Sequence, residues 1–157
     1  MVDIQTVSIA IASASVVAGV VYYALELRGQ TRTRHADLVM KLSAIYGNAE
    51  MVKALLDIYS LQFKDYDDFV KKYGKPSNEN PIFQSIIMVS WHFESVGWLV
   101  HEGIIDANAV RQTSTAIYIW EIIAPLLKGL RKELNQPEAG KWFEYLYNEM
   151  NKREQRQ

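Results

Sequence analysis

Near its N-terminus the chain has 22 consecutive residues, Ile4 to Leu25, without a charged side chain. Nine of them are isoleucine, valine or leucine. As a helix this stretch would be about 33 Å long, enough to cross a hydrocarbon core of about 30 Å. The pattern therefore predicts a single transmembrane helix. A cleavable signal peptide is disfavoured because Asp3 stands where a basic start is expected. A buried helix of a soluble protein is disfavoured by the length of the uncharged stretch.

The residues at the end of this stretch favour a membrane interface. Tyr22 and Tyr23 lie where an aromatic belt is expected, and Arg28, Arg32 and Arg34 follow within a few turns. Basic residues next to a membrane helix are retained in the cytoplasm. We therefore expect a cell-membrane protein with its N-terminus outside and its C-terminal domain in the cytoplasm.

Beyond Glu26 the apolar residues recur at intervals of three and four, and no stretch alternates like a half-buried strand. The pattern predicts an all-α domain into which the membrane helix continues, since Gly29 alone is a weak breaker. Local start signals place further helices after Asn48, Asp65, Asn80 and Asp106. Met51, Val52, Leu55, Leu56 and Tyr59 are the predicted buried face of the helix after Asn48.

The segment from 81 to 102 has the clearest periodicity of the chain. Its apolar residues form a heptad-like seam, which predicts a central helix packed on other helices. The seam consists of Ile82, Ile86, Val89, Phe93, Val96 and Val100. Pro125 is expected to kink or divide a helix over about 114–134, because proline removes a backbone donor. Pro137 is expected to open the last helix, with Trp142 among its buried residues.

Composition narrows the function classes. A chain of 157 residues, 49% of them hydrophobic, suffices for one domain with a sizeable core. The lack of cysteine excludes disulfides, thiolate catalysis and cysteine-bound metals. A net charge of -1 argues against a general nucleic-acid binder. His92 and Glu94 form an H-x-E pair without the cysteines that zinc deaminases require, and other catalytic motifs are lacking. We therefore expect no catalytic residues, metal or cofactor.

Glu94 and Glu121 stand out because each lies in an apolar, aromatic-rich stretch. A buried carboxylate is costly unless it is paired, so we expect Arg111, Lys128 or Arg131 to reach one of them. The sequence thus predicts a buried polar cluster of Glu94, Glu121 and Arg131. The alternative is a carboxylate pair doing acid–base work, or a ligand pocket that these glutamates share with Trp91, Trp98 and Trp120.

Five segments of the chain follow the pattern of a known family. They are Tyr22-Tyr23-Ala24-Leu25-Glu26-Leu27-Arg28, Phe93-Glu94-Ser95-Val96-Gly97-Trp98-Leu99-Val100, Gly103-Ile104-Ile105-Asp106, Trp120-Glu121 with Pro125 and Arg131, and Glu138 onward through Trp142-Phe143-Glu144-Tyr145-Leu146. In these segments the chain resembles a domain-of-unknown-function family of small prokaryotic, often archaeal, membrane-anchored helical proteins. The resemblance supports an architecture and implies no residue roles.

Together these patterns predict a transmembrane anchor at 1–28, a compact cytosolic bundle of about five or six helices at 29–151, and a charged, frayed tail at 152–157. We expect a non-enzymatic interaction, scaffold or accessory-subunit protein. Its expected partners are the lipid bilayer and either a second copy of itself or another membrane-complex protein. A membrane-tethered enzyme or small-ligand sensor is the alternative.

Overall fold

The computed structural model describes residues 3–152, apart from the side chains of residues 6, 10, 31, 32, 34–36, 39 and 43. Within this part of the chain the structure consists of helices and turns and has no strand, which confirms the all-α class. It divides into two units, residues 1–40 and 41–157. Of the tail predicted at 152–157, Lys152 is described and residues 153–157 lie outside the described residues.

A single uninterrupted helix, α1, runs from Ile4 to Ile45, so the predicted continuation through Gly29 is confirmed. It contains the one segment of the described chain that is long and apolar enough to cross a membrane, Val7–Gln30, and none of that segment is buried. Six further helices follow among the described residues, α2 (Ala49–Tyr59), α3 (Tyr66–Tyr73), α4 (Pro81–His101), α5 (Ala107–Thr113), α6 (Ala116–Glu133) and α7 (Lys141–Lys152).

Short side chains start four of these helices where the sequence predicts them. The side-chain oxygens of Asn48, Asp65, Asn80 and Asp106 each accept a hydrogen bond from a first-turn amide, at 2.7–3.1 Å. Each bond satisfies one of the amides that a helix start leaves without an internal partner. These boundaries depend on neighbouring residues alone, which explains why a sequence pattern can locate them.

Helix α4 lies at the centre of the second unit, packing most extensively against α7 and next against α2. Its predicted seam is buried except for Ile82, which is half-buried. Helix α6 contacts α2, α3, α5 and α7 and completes the bundle. The largest fully buried side chains of this core include Phe69, Phe93, Phe143, Ile119 and Leu146.

Of the two predictions made from prolines, the division of a helix at Pro125 is not observed, and the start of the last helix at Pro137 is wrong. Helix α6 passes through Pro125 without division, because side chains on both sides of it, such as Ile123 and Leu126, are anchored in the core. The last helix begins at Lys141 and not at Pro137, since the intervening Gly140 has a φ of +72°, which is incompatible with a right-handed helix.

The predicted buried face of α2 is also only partly correct. Met51 and Leu55 are buried as expected, whereas Val52, Leu56 and Tyr59 are exposed. Ala54 and Ile58 take their place, so the buried face is Met51, Ala54, Leu55 and Ile58. The sequence pattern favoured the larger apolar side chains, but the small Ala54 lies in the packed interface.

Candidate functional site

The side chain of Glu94 connects α4 to the first turn of α7. Glu94 is half-buried, and its Oε2 accepts hydrogen bonds from the backbone amides of Trp142 at 2.7 Å and Phe143 at 3.1 Å. The first amides of a helix have no partner inside the helix, and negative charge is favourable at this end. Glu94 therefore caps α7 from a residue 48 positions earlier in the chain.

Gly97 allows the two helices to come close enough for this cap. A Cβ atom at residue 97 would lie 2.0 Å from the carbonyl oxygen of Trp142 and 2.6 Å from its carbonyl carbon. Glycine is disfavoured inside a helix, so its occurrence in α4 is explained by this backbone contact. We call the contact formed by Glu94, Gly97 and the first turn of α7 the α4–α7 junction.

Arg131 of α6 holds the same region from the other side. Its Nε donates a hydrogen bond of 2.7 Å to the carbonyl oxygen of Ala139, in the turn that precedes α7. Its Nη1 lies 2.7 Å from Oε2 of Glu144, in the first turn of α7. Arg131 thus fixes the start of α7, and its positive charge also acts on Glu94.

Burial raises the pKa of Glu94 above its ordinary value. The hydrogen bonds from the amides of Trp142, Phe143 and Gly140 and the charge of Arg131 act in the opposite direction, but they do not cancel the loss of hydration. The carboxylate is therefore incompletely compensated when it is ionised.

We expect ionisation of Glu94 to make the helical domain less stable as the pH rises. With the folded-state pKa above the unfolded-state pKa, the stabilisation is fully present below the ordinary glutamate pKa of about 4.3. It is then lost as the pH rises through the folded-state pKa. Thermal unfolding of the full chain in detergent, followed by circular dichroism across this range, should show the wild type losing stability relative to Glu94→Gln.

Asp68→Asn is the control with the opposite sign. A hydrogen bond from Lys72 lowers the pKa of Asp68, so its contribution is present at neutral pH and is lost on acidification. Arg131, Glu144 and His101 are present in the wild type and in both variants, so they do not distinguish the curves. Parallel curves for the wild type and Glu94→Gln would contradict the expected effect of Glu94.

A surface depression of about 410 Å³ lies beside the α4–α7 junction. We call it the Glu94 depression; it is lined by Glu94, Ser95, Trp98, Leu99 and Trp142. The indole of Trp142 is in contact with His101, at 4.6 Å between ring centroids, and with Tyr145 at 6.0 Å. The depression thus combines a carboxylate with two indole rings.

The structure brings together only some of the residues singled out in the sequence. Arg131 lies close enough to influence Glu94. Glu121, in contrast, is exposed on α6, where its Oε1 lies 3.5 Å from the Tyr147 hydroxyl. Trp120 is buried against Phe143 in the core.

The two residues of the H-x-E pair, His92 and Glu94, have different surroundings. His92 is half-buried and packs against the rings of Tyr46 and Phe93, at 5.3 and 5.1 Å between centroids. Burial lowers the pKa of His92, which favours the neutral ring. Among the described residues, no group of three or more histidine, aspartate or glutamate side chains is placed to hold a metal ion.

Of the residues predicted at the membrane interface, Tyr22, Tyr23 and Arg28 lie exposed on α1. The side chains of Arg32 and Arg34 lie outside the described residues.

The sequence patterns did not reveal the roles of Gly97 at the α4–α7 junction and of Gly140 before α7. A glycine in the middle of the most periodic helix is a signal of close approach that could have identified Gly97. The partner of Gly97 lies 45 residues away at Trp142, and local pattern carries no information about it.

A family model described as Domain of unknown function (DUF4760) matches residues 9–150. No curated protein and no solved structure matches the chain.

Proposed function

Because the chain belongs to the DUF4760 family, whose description names no activity, we propose a function from the geometry: a single-pass, membrane-anchored interaction module. The observation that carries the proposal is the exposure of the apolar segment Val7–Gln30. At 1.5 Å per residue, its 24 residues would span about 36 Å, enough to cross a bilayer with some tilt.

The described apolar side chains of this segment are exposed. Ile9, Ile11, Val16 and Val20 are each more than 60% exposed. A contiguous apolar surface of this size is uncommon on soluble monomers and marks contact with lipid or protein. Lipid is the partner that covers every side of a helix at once, which supports a spanning anchor.

The helical domain has a core of its own. Every buried apolar residue in the described chain falls between Met51 and Met150. The core of the domain therefore does not require the apolar side chains of α1, and these side chains can be buried in a membrane.

The outward face of α4 supports an interaction role for the domain. Met88, Trp91 and Trp98 follow a three-and-seven-residue spacing on this helix, and Trp91 is 70% exposed. Exposed tryptophans are enriched at protein interfaces. The proposed partner is a second copy of the chain or another protein of a membrane complex, with the domain in the cytoplasm.

Membrane extraction tests the proposal. The full chain should resist alkaline carbonate extraction, and its intact mass should include the residues of α1, which a cleaved signal peptide would lose. A photo-crosslinker at Trp91 should capture a partner or second copy, whereas one at the exposed Gln112 of α5 should not. A carbonate-soluble chain, a mass lacking α1 or equal crosslinking at both positions would contradict the proposal.

A further inference from the structure

The Glu94 depression presents aromatic surface that the protein itself leaves uncovered. Trp98 is 46% exposed, and in the part of the chain that the structure describes its ring contacts no other aromatic ring. Trp142, the other indole in the lining, is in contact with the rings of His101 and Tyr145. The ring of Trp142 is therefore in contact with its neighbours, whereas the ring of Trp98 is available to a ligand.

The indole of Trp142 already attracts a cation. The Nζ of Lys141 lies 5.1 Å from the centroid of its ring. Indole is the aromatic group that attracts cations most strongly, through the negative potential over its face. Lys141 also forms an ion pair with the exposed carboxylate of Glu138.

The carboxylate of Glu94 adds negative charge to this aromatic surface. Its Oε2 is engaged with the amides of α7, yet burial still raises its pKa, so these donors do not fully replace its lost hydration. A cation in the depression would supply the missing compensation without breaking the cap.

The few acceptors in the depression define the kind of cation. A primary ammonium has three N–H donors to satisfy, whereas the polar side chains lining the depression are Glu94 and Ser95. The Ser95 hydroxyl donates to the carbonyl oxygen of Trp91 at 3.0 Å, so it is oriented along its own helix. A quaternary ammonium has no N–H donor and presents only methyl groups, which pack on indole faces.

We infer that the Glu94 depression binds a quaternary alkylammonium group, with the methyl groups against Trp98 and Trp142 and the charge beside Glu94. A volume of about 410 Å³ is sufficient for such a group and falls in the range of small-ligand sites. This ligand function goes beyond anchoring and protein interaction, and it does not depend on the membrane helix.

Ligand-observed NMR with choline tests the inference on the full chain in a maltoside detergent, which carries no choline group. Saturation transfer to the trimethylammonium protons and a titration with choline chloride should both show binding. The uncharged analogue 3,3-dimethyl-1-butanol, which has the same shape, should bind at least about tenfold more weakly because it lacks the cation–π and ionic attraction. Glycerophosphocholine in a parallel titration distinguishes a lipid headgroup from the free cation.

Variants locate the binding at the Glu94 depression. Glu94→Gln keeps an oxygen to accept the amides of α7 and removes the charge, and we expect it to weaken choline binding about tenfold. Trp98→Leu should weaken binding severalfold. The matched controls Glu121→Gln and Trp91→Leu, on exposed side chains outside the depression, should bind choline like the wild type.

Two results would overturn the inference. One is equal binding of choline and 3,3-dimethyl-1-butanol to the wild-type chain, a comparison that needs no variant to fold. The other is unchanged choline binding by a folded Glu94→Gln chain, with folding checked by its circular dichroism. Loss of choline binding in the Glu121→Gln or Trp91→Leu control would equally count against this location.

Discussion

Replacing Gly97 by alanine is expected to lower the free energy of unfolding of the helical domain by about 3 kcal/mol, the upper part of the range for overpacking. The new Cβ would lie 2.0 Å from the carbonyl oxygen of Trp142, a backbone atom that cannot rotate away. Relief requires α4 and α7 to move apart along the most extensive helix contact of the domain. The same movement would lengthen the hydrogen bonds between Glu94 and the first turn of α7.

Gly29→Ala provides the matched control, because a Cβ at residue 29 would meet no atom within 4 Å. Alanine is favoured over glycine inside a helix by about 1 kcal/mol, so this variant should be as stable as the wild type or slightly more so. Thermal and urea unfolding of the full chain in detergent, followed by circular dichroism, would measure both changes. A Gly97→Ala chain that unfolds like the wild type would show that the α4–α7 contact is looser than the structure describes.

The positions that the sequence predicts correctly are those set by neighbouring residues. Asn80 and Pro81 start α4 because an amide oxygen and a fixed φ act within one helical turn. Asp65 starts α3 because its carboxylate accepts a hydrogen bond of 2.9 Å from the amide of Asp68, within the first turn. Such features need no knowledge of the rest of the fold.

The features that the sequence could not predict are set by residues far apart in the chain. Glu94 stands out as a carboxylate in an apolar stretch, and a partner for it was expected among the basic side chains. Its hydrogen-bond donors are instead the backbone amides of Trp142 and Phe143, which every residue type except proline carries. A backbone partner leaves no mark in the sequence, so the α4–α7 junction could be recognised only in three dimensions.

The face of α2 illustrates a second reason. Leu56 and Ile58 are similarly apolar, yet Leu56 is exposed and Ile58 is fully buried. The choice between them depends on how α2 rotates against α4 and α6, its two main neighbours. When apolar residues surround much of a helix, hydrophobic pattern alone does not fix that rotation.

If α1 anchors the protein as proposed, placing arginine at both Val17 and Val20 should release it from the membrane. Both residues lie near the middle of the segment Val7–Gln30, where each arginine disfavours insertion by about 2.5–3.5 kcal/mol. The anchor carries many alanine, serine and glycine residues, which contribute almost nothing to insertion, so the combined cost of about 5–7 kcal/mol should exceed its margin.

The double variant should therefore move from the carbonate-resistant fraction to the soluble or aggregated fraction, while Val17→Leu with Val20→Leu should stay in the membrane. The thermal unfolding of the helical domain should be similar in both, since its core is drawn from residues 51–150. This combination separates loss of anchoring from loss of folding. If the double-arginine chain stays carbonate-resistant with its domain intact, α1 is not what holds the protein in the membrane, and the anchor must be sought on the surface of the domain.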